Sequence, residues 1–130
     1  MSQRTAIQTN AAPGAIGPYS QAIVSGALVF TSGQVGLDPA SGELVPGDAA
    51  DQARQALHNV TAVLDAAGSG WDRVLKVTIF LVDLGNFAAV NEVYSTFLVP
   101  PFPARSTVAV RALPRGALVE IETIALAGEA

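Results

Sequence analysis

Three things are scarce in this 130-residue sequence: it has no cysteine, one histidine and 14% charged residues. Without cysteine, disulfides, thiol nucleophiles, zinc–thiolate sites and iron–sulfur clusters are excluded. A single histidine excludes a histidine-rich metal site, so we expect neither metal nor cofactor. Seven Lys and Arg residues stand against eleven Asp and Glu residues, a net charge of −4 with no basic block. This balance disfavours a nucleic acid as the main partner.

Signals for export or membrane insertion are also missing. The first ten residues, MSQRTAIQTN, lack the apolar core of a signal peptide, and no apolar run is long enough to span a bilayer. We therefore expect a cytoplasmic protein with no membrane partner. Half of the residues are hydrophobic, which is high for a small soluble domain. This predicts a homo-oligomer that hides surface against its own copies; the alternative is a monomer in which many alanines raise the hydrophobic fraction.

The pattern of strands, helices and turns predicts one α+β domain over residues 1–130, with no repeat or linker. Both helices are expected on one face of a single sheet, whose other face then needs a cover. Three- and four-residue spacing of apolar residues marks the first helix, which Asp48 caps and Gly68 ends. The other predicted elements are a strand at Thr5–Thr9, a hairpin about Ser25-Gly26, a strand at Arg73–Asp83, a second helix stopped by Pro100-Pro101, and closing strands RSTVAV and LVEIETIAL.

Periodicity also assigns faces to side chains. In the strand Arg73–Asp83 one wholly apolar face is expected, made of Leu75, Val77, Ile79 and Leu81. One face of the second helix is expected to carry Phe87, Val90, Tyr94 and Phe97. His58 lies off the apolar stripe of the first helix, so it is expected to be solvated rather than catalytic. Trp71 is expected to pack where the next strand begins.

Arg105 and Glu120 are the residues best suited to chemistry. Arg105 begins one closing strand, while Glu120 and Glu122 interrupt the other, whose opposite face is apolar. One interpretation is a structural ion pair between Arg105 and one of these acids; the pattern gives it about even odds. The other is functional, because arginine binds a carboxylate with two hydrogen bonds and a glutamate can accept a proton from water. The sequence leaves open whether the two strands are neighbours or flank a third.

Several motifs in chain order resemble the RidA/YjgF family of imine deaminases. The similar segments cover nearly the whole chain, and GPYSQA, PARS and VEIE together are specific. They are APGAIGPYSQAI, FTSGQVGLDP, QARQALHNVTAVLDAAG, VTIFLVDLGNFAAVNEVY, PARSTVAVRALP and VEIETIA. The resemblance implies a chorismate-mutase-like domain that assembles as a homotrimer, with ligand sites in clefts between subunits. It also implies removal of ammonia from 2-aminoacrylate, 2-iminopropanoate and 2-iminobutanoate to give 2-keto acids.

The resemblance further implies roles for individual residues. Arg105 would bind the substrate carboxylate and Glu120 would activate water. The positions that line the ligand cleft in the family match Tyr19, Ser32, Gly33, Asn91 and Thr107 of this sequence. Thr107 stands where many relatives have a cysteine, and the segment YSTFLVPPFPARS is shorter than usual, so we expect the rim of the pocket and the substrate preference to differ from those of relatives. Two other functions compete: a trimeric module that binds small carboxylates and regulates a partner, and a ribonuclease or translation inhibitor, which the acidic charge disfavours.

Overall fold

A computed structural model describes residues 3–128 as seven strands and two helices in one layered unit. The strands are β1 (Arg4–Ile7), β2 (Ala22–Ser25), β3 (Leu28–Thr31), β4 (Gln34–Val35), β5 (Val74–Leu81), β6 (Ala104–Ala109) and β7 (Val119–Leu126), and the helices are α1 (Ala49–Ala66) and α2 (Phe87–Ser95). They form one mixed sheet in the order β1-β2-β3-β7-β5-β6, with β4 also paired to β7. Among the strand pairs within residues 3–128, β5–β6 alone is parallel and the others are antiparallel. The predicted α+β class with two helices and a mixed sheet is confirmed.

Helix α1 has a buried apolar stripe, a capping residue before its first turn and a glycine after its last turn. Ala53, Leu57 and Val60 are fully buried on the stripe. Asp48 caps the helix, because its side chain accepts a hydrogen bond from the backbone N–H of Asp51. The side chain of Asp51 in turn accepts one from the backbone N–H of Asp48. Gly68, with φ of +72°, follows the last turn in a conformation that side chains disfavour. The predicted start and end of α1 are therefore confirmed.

Strand β5 begins one residue later and ends two residues earlier than predicted, and one residue lies on a different face from the one expected. A β-bulge between Val74 and Lys76 shifts the register with β7, and Leu75 is left 45% exposed. Beyond the bulge, Val77, Ile79 and Leu81 are buried toward the helices as expected. The expectation that Leu75 shares their face is wrong, because strict alternation fails across a bulge.

Most other expectations hold with small shifts, but α2 ends at Ser95, five residues before the prolines that were expected to stop it. The first strand ends two residues earlier than predicted, and the two-residue β4 was missed. The hairpin turns at Gly26, which has a positive φ of 58°. His58 is exposed, and Trp71 packs at the entrance to β5, where its indole donates to Thr61 Oγ1 at 2.8 Å. No helix within residues 3–128 has the length and apolarity to cross a membrane.

The sheet has two unlike faces. The helix side of β7 buries Val119, Ile121, Thr123 and Ala125, as predicted. The opposite side carries Glu120 and Glu122 together with apolar side chains that the register places on the same face: Phe30, Phe80, Val108, Ile124 and Leu126. Of these, Phe30, Val108 and Leu126 are 42%, 41% and 36% exposed in the single chain. Both helices pack on the first face, so this second, partly apolar face is uncovered.

Candidate active site

Arg105 and Glu120 lie on opposite faces of the sheet. Strands β6 and β7 are not neighbours but flank β5. Arg105 pairs in register with Val77, which points to the helices, and Glu120 pairs with Phe80, three residues later on the other face. A structural ion pair between Arg105 and Glu120 or Glu122 within one chain is therefore wrong. Within the described residues the one ion pair is Arg54–Asp51.

Around Arg105 lies what we call the arginine half-site: Phe87, Asn91, Tyr94 and Arg105. The guanidinium donates from Nη1 to Asn91 Oδ1 at 2.6 Å. Its carbon lies 5.5 Å from the centre of the Phe87 ring and 5.1 Å from that of Tyr94. These contacts orient a cation while leaving its charge unneutralised, because an amide and two rings carry no negative charge. The guanidinium thus keeps donors available for a carboxylate ligand.

The arginine half-site opens into a cavity of about 380 Å³ beside α2. Leu98, Phe102 and Pro103 supply much of its apolar wall. Tyr94 is nearly buried, and its hydroxyl has no hydrogen-bond partner among the described residues. Burial raises the pKa of this phenol, and the charge of Arg105 opposes the rise. The phenol therefore stays protonated at neutral pH and offers a donor.

Thr107 lies two residues beyond Arg105, on the same face of β6. It pairs with Ile79, a buried residue of β5. Its Oγ1 is buried and has no hydrogen-bond partner among the described residues. Thr107 thus shares a face of β6 with Arg105, but it does not line the cavity beside α2, and its predicted place in the ligand cleft stays a prediction.

A second cluster, the glutamate half-site, consists of Tyr19, Ser32, Gly33 and Glu120. All four line a cleft of about 530 Å³. Glu120 reaches this cleft from the face of the sheet opposite the helices. Pro13, Gly14, Ile16, Pro114 and Arg115 complete much of its wall. Of the predicted site residues, the structure thus gathers Asn91 with Arg105 and gathers Tyr19, Ser32 and Gly33 with Glu120. Within one chain it does not bring the two groups together.

Glu120 is held in a half-buried position. A Cβ atom at Gly33 would lie 2.7 Å from Glu120 Cδ, so the carboxyl group rests directly on the Gly33 backbone. Burial is the main cause that raises the pKa of Glu120, and the nearby negative charge of Glu122 raises it further. A carboxylate with a raised pKa is a stronger proton acceptor and can return the proton near neutral pH.

Sequence reasoning missed the aromatic contacts to Arg105. Phe87 and Tyr94 were expected only as an apolar helix face, and Phe87 is 39% exposed. The signal was present, since Phe87, Asn91 and Tyr94 are spaced by four and three residues on one side of α2. What the sequence lacked was the packing of that side beside β6. Arg115, in the wall of the glutamate cleft, was also missed.

Comparisons with known proteins agree with this fold and set of motifs. The family model described as Endoribonuclease L-PSP matches residues 9–127. The chain belongs to this family, which is the RidA/YjgF family that its motifs resemble.

Several relatives share the name of one activity. The protein of Mus musculus named 2-iminobutanoate/2-iminopropanoate deaminase is 50% identical over 125 residues, which cover 96% of this chain and 93% of the relative. Its namesake in Homo sapiens is 47% identical, with 96% and 91% covered. The expectation of similarity to imine deaminases is therefore confirmed.

Solved structures share the fold closely. The structure of E. coli TdcF with bound serine has a TM-score of 0.89 at 46% identity, covering 94% of this chain and 98% of that one. Yeast Mmf1 has a TM-score of 0.93 at 37% identity, covering 96% and 99%.

Proposed function

We propose that this protein hydrolyses small 2-imino acids, such as 2-iminopropanoate and 2-iminobutanoate, to 2-keto acids and ammonia. The observation that carries the proposal is the guanidinium of Arg105, oriented by Asn91 and two rings, with no acidic partner among the described residues. Such a group suits a small ligand that brings its own carboxylate. The names of the relatives support the imine as the second feature of that ligand.

The hydrolysis needs a proton acceptor and a proton donor, and Glu120 can be both. Arg105 binds the carboxylate of the substrate. Glu120 takes a proton from water as the water oxygen bonds to C2 and the C=N electrons move to nitrogen. The protonated carboxyl group then returns a proton to that nitrogen. As the C–N bond breaks, Glu120 carries the hydroxyl proton to the departing nitrogen, and the keto acid and ammonia are left. No metal or cofactor enters these steps.

For this mechanism the two half-sites have to meet, and we propose that a homotrimer brings them together. Because Arg105 and Glu120 lie on opposite faces in one chain, a site containing both needs two chains. The uncovered face with Phe30, Val108 and Leu126 supplies apolar surface for such an assembly. Each cleft would then take the arginine half-site from one subunit and the glutamate half-site from the next.

The direct test generates the imine in place with a pyridoxal-phosphate dehydratase acting on serine or threonine. Keto-acid and ammonia release are followed early, before spontaneous hydrolysis dominates. Wild-type protein is expected to accelerate release, and Arg105→Ala to abolish the acceleration. Arg4→Ala, which removes an exposed arginine on β1, is the matched control and should keep it. Full acceleration by Arg105→Ala would contradict the mechanism.

A binding role without turnover is the competing function, since TdcF was solved with bound serine, a small amino acid with a carboxylate. It predicts that 2-keto acids bind wild-type protein, that binding survives Glu120→Ala, and that no imine is consumed. The family description also names an endoribonuclease. RNA cleavage that copurifies with the protein and vanishes on Arg105→Ala would support that activity instead.

A further inference from the structure

Gln21 is a buried polar side chain that the proposed chemistry does not use. It is 3% exposed and lies at the end of the loop that precedes β2. Its Oε1 accepts from the Thr9 backbone N–H at 2.7 Å, and its Nε2 donates to the Thr9 carbonyl at 3.1 Å. Two further carbonyls lie within reach of Nε2, those of Ala12 at 3.4 Å and Pro13 at 2.8 Å. One side chain thus binds three backbone positions of the loop.

The pattern requires an amide. The paired bonds to Thr9 imitate a rung of an antiparallel ladder, just past the last β1–β2 pair, Ile7 with Ala22. Glutamine has both the acceptor and the two donors that this arrangement needs. Methionine, of similar length, would leave buried carbonyls unpaired, and glutamate would retain the acceptor but place negative charge against them.

The same segment is tied to the opposite wall of the glutamate cleft. The Ser32 backbone N–H donates to the Gln21 carbonyl at 2.9 Å, and Ser32 Oγ donates to the Ser20 carbonyl at 2.5 Å. Ser32 precedes Gly33, whose backbone contacts the Glu120 side chain. On the other side, the loop held by Gln21 continues into Gly14, Ile16 and Tyr19, which line the cleft. Within the loop, the Ile16 N–H donates to the Tyr19 hydroxyl at 3.3 Å.

We infer that Gln21 is a positioning residue that holds the Thr9–Pro13 segment and Ser32 at a fixed separation, so that the loop forms one wall of the cleft that contains Glu120 and presents Tyr19 to the ligand. The inference deepens the proposed function and rests on it where activity is concerned. Its physical consequence is independent of activity: the loop is a wall of the cleft that Glu120 lines, so a displaced loop would leave Glu120 more exposed to water. Among residues 3–128, the charged or titratable groups near Glu120 are Glu122 on its own strand and Arg115 and Tyr19 in the cleft wall, which the polar residues Ser32 and Gln34 also line.

The experiment compares Gln21→Met and Gln21→Glu with Gln8→Met, a matched change at an exposed glutamine beside the same loop. Imine hydrolysis and the NMR titration of the Glu120 carboxyl carbon are measured for each protein. We expect kcat/KM to fall about ten- to one hundred-fold in both Gln21 variants, as for a misplaced binding group. We also expect the pKa of Glu120 to move down toward its ordinary value, because burial is the main cause that raises it. Gln8→Met should match wild type in both.

The two readouts separate the possible failures. If wild type hydrolyses no imine, the proposed function fails, while the Glu120 titration still tests Gln21. A Gln21→Met protein with wild-type kcat/KM and titration overturns the inference. So does a loss of thermal stability and activity without any change in the Glu120 titration, since that is a structural role alone.

A measurement on unaltered protein covers the case in which the variants do not fold. Amide hydrogen exchange at Thr9 reports whether the bond to Gln21 persists in solution. We expect the Thr9 amide to be protected to the same extent as amides within β2. Exchange as fast as that of an open loop would overturn the inference.

Discussion

At the scale of the residue, the glutamate half-site requires a glycine at position 33, because Glu120 occupies the space of a side chain there. The space where a Cβ would stand is filled by Glu120: Cδ, Cγ and Oε2 lie 2.7, 2.9 and 2.9 Å from that position. Glycine is needed here for close approach rather than for an unusual dihedral angle. Contact with the Gly33 backbone therefore sets the position of the Glu120 carboxyl group.

Gly33→Ala is expected to displace Glu120. The cost in stability should be small, about 1 kcal/mol or less, because the nearest atoms that the new methyl group meets belong to the flexible Glu120 side chain; imine hydrolysis should fall at least about ten-fold. Urea unfolding and initial rates measure the two effects. The matched control is the same change in a Glu120→Ala background, where the added methyl group meets open space and the stability cost should disappear. An equal cost in both backgrounds would show that Glu120 is not the group displaced.

Glu120 itself makes stability depend on pH in a direction opposite to most carboxylates. Because burial and Glu122 raise its pKa in the folded state, the folded protein binds the proton more tightly than the unfolded chain. Stability from this group is therefore complete below the unfolded pKa and is lost as pH rises through the folded pKa.

Glu120→Gln should then raise the melting temperature at pH 7, where the wild-type carboxylate is charged. The gain should shrink as the pH falls through the raised folded pKa, and it should be gone at about pH 4, below the ordinary pKa of glutamate, where the wild-type group is neutral as well. Calorimetry between pH 4 and 8 measures it. Glu43→Gln, at an exposed glutamate in a turn, is the control and should show no such pH-dependent gain. A melting temperature for Glu120→Gln that is lowered at pH 7 would contradict the sign.

At the scale of the element, β4 shows how two residues form a strand without a strand-like pattern. Gln34 and Val35 are both buried, and they pair with Ile121 and Glu120 of β7. Their place is set from α1: Asn59, 1% exposed, donates from Nδ2 to the Val35 carbonyl at 3.1 Å and to the Leu37 carbonyl at 2.9 Å. A buried side chain on a helix thus holds the strand that lies beside Glu120.

Asn59→Leu is expected to lower the free energy of unfolding by about 1–3 kcal/mol. The reason is that leucine has similar volume but leaves buried carbonyls without a donor. Gln55→Ala is the control, because it removes only the hydrogen bond from Gln55 Nε2 to Asn59 Oδ1 and should cost about 1 kcal/mol or less. Chemical denaturation measures both. A smaller loss for Asn59→Leu than for Gln55→Ala would show that the carbonyls find other partners.

At the scale of the whole molecule, topology separates the residues that the chemistry would join. Strand β5 lies between β6 and β7, and their registers direct Arg105 to the helix side and Glu120 to the uncovered side. A monomer built this way has two half-sites and no complete one. Assembly would therefore affect activity directly, as well as covering the apolar face.

Mixing two inactive variants tests this arrangement. Arg105→Ala and Glu120→Ala are each expected to lack activity. After unfolding together in equal amounts and refolding, about one quarter of the sites should contain both native residues, because each comes from a different subunit with even odds. Activity near one quarter of wild type is the expected result. Light scattering should give about three times the 13.3 kDa of one chain. Mixtures as inactive as the single variants would contradict a site shared between subunits.

Much of the fold could be predicted from the sequence, because it depends on interactions between residues that are close together in the chain. The apolar stripe of α1, its Asp48 cap and the Gly68 stop act within a few residues of one another, so the helix and its ends could be predicted. The alternating face of β7 is equally local, and it singled out Glu120 on the polar side. The motifs also identified the family and most of the candidate site residues.

Only the tertiary structure decided how these parts are placed. The bulge at Leu75, the two-residue β4 and the separation of Arg105 from Glu120 all depend on pairing between residues far apart in sequence. A structural ion pair in one chain was as compatible with the sequence as a substrate site. The register of β5 removed that option, because strand order and face are properties of the assembled sheet rather than of any one segment.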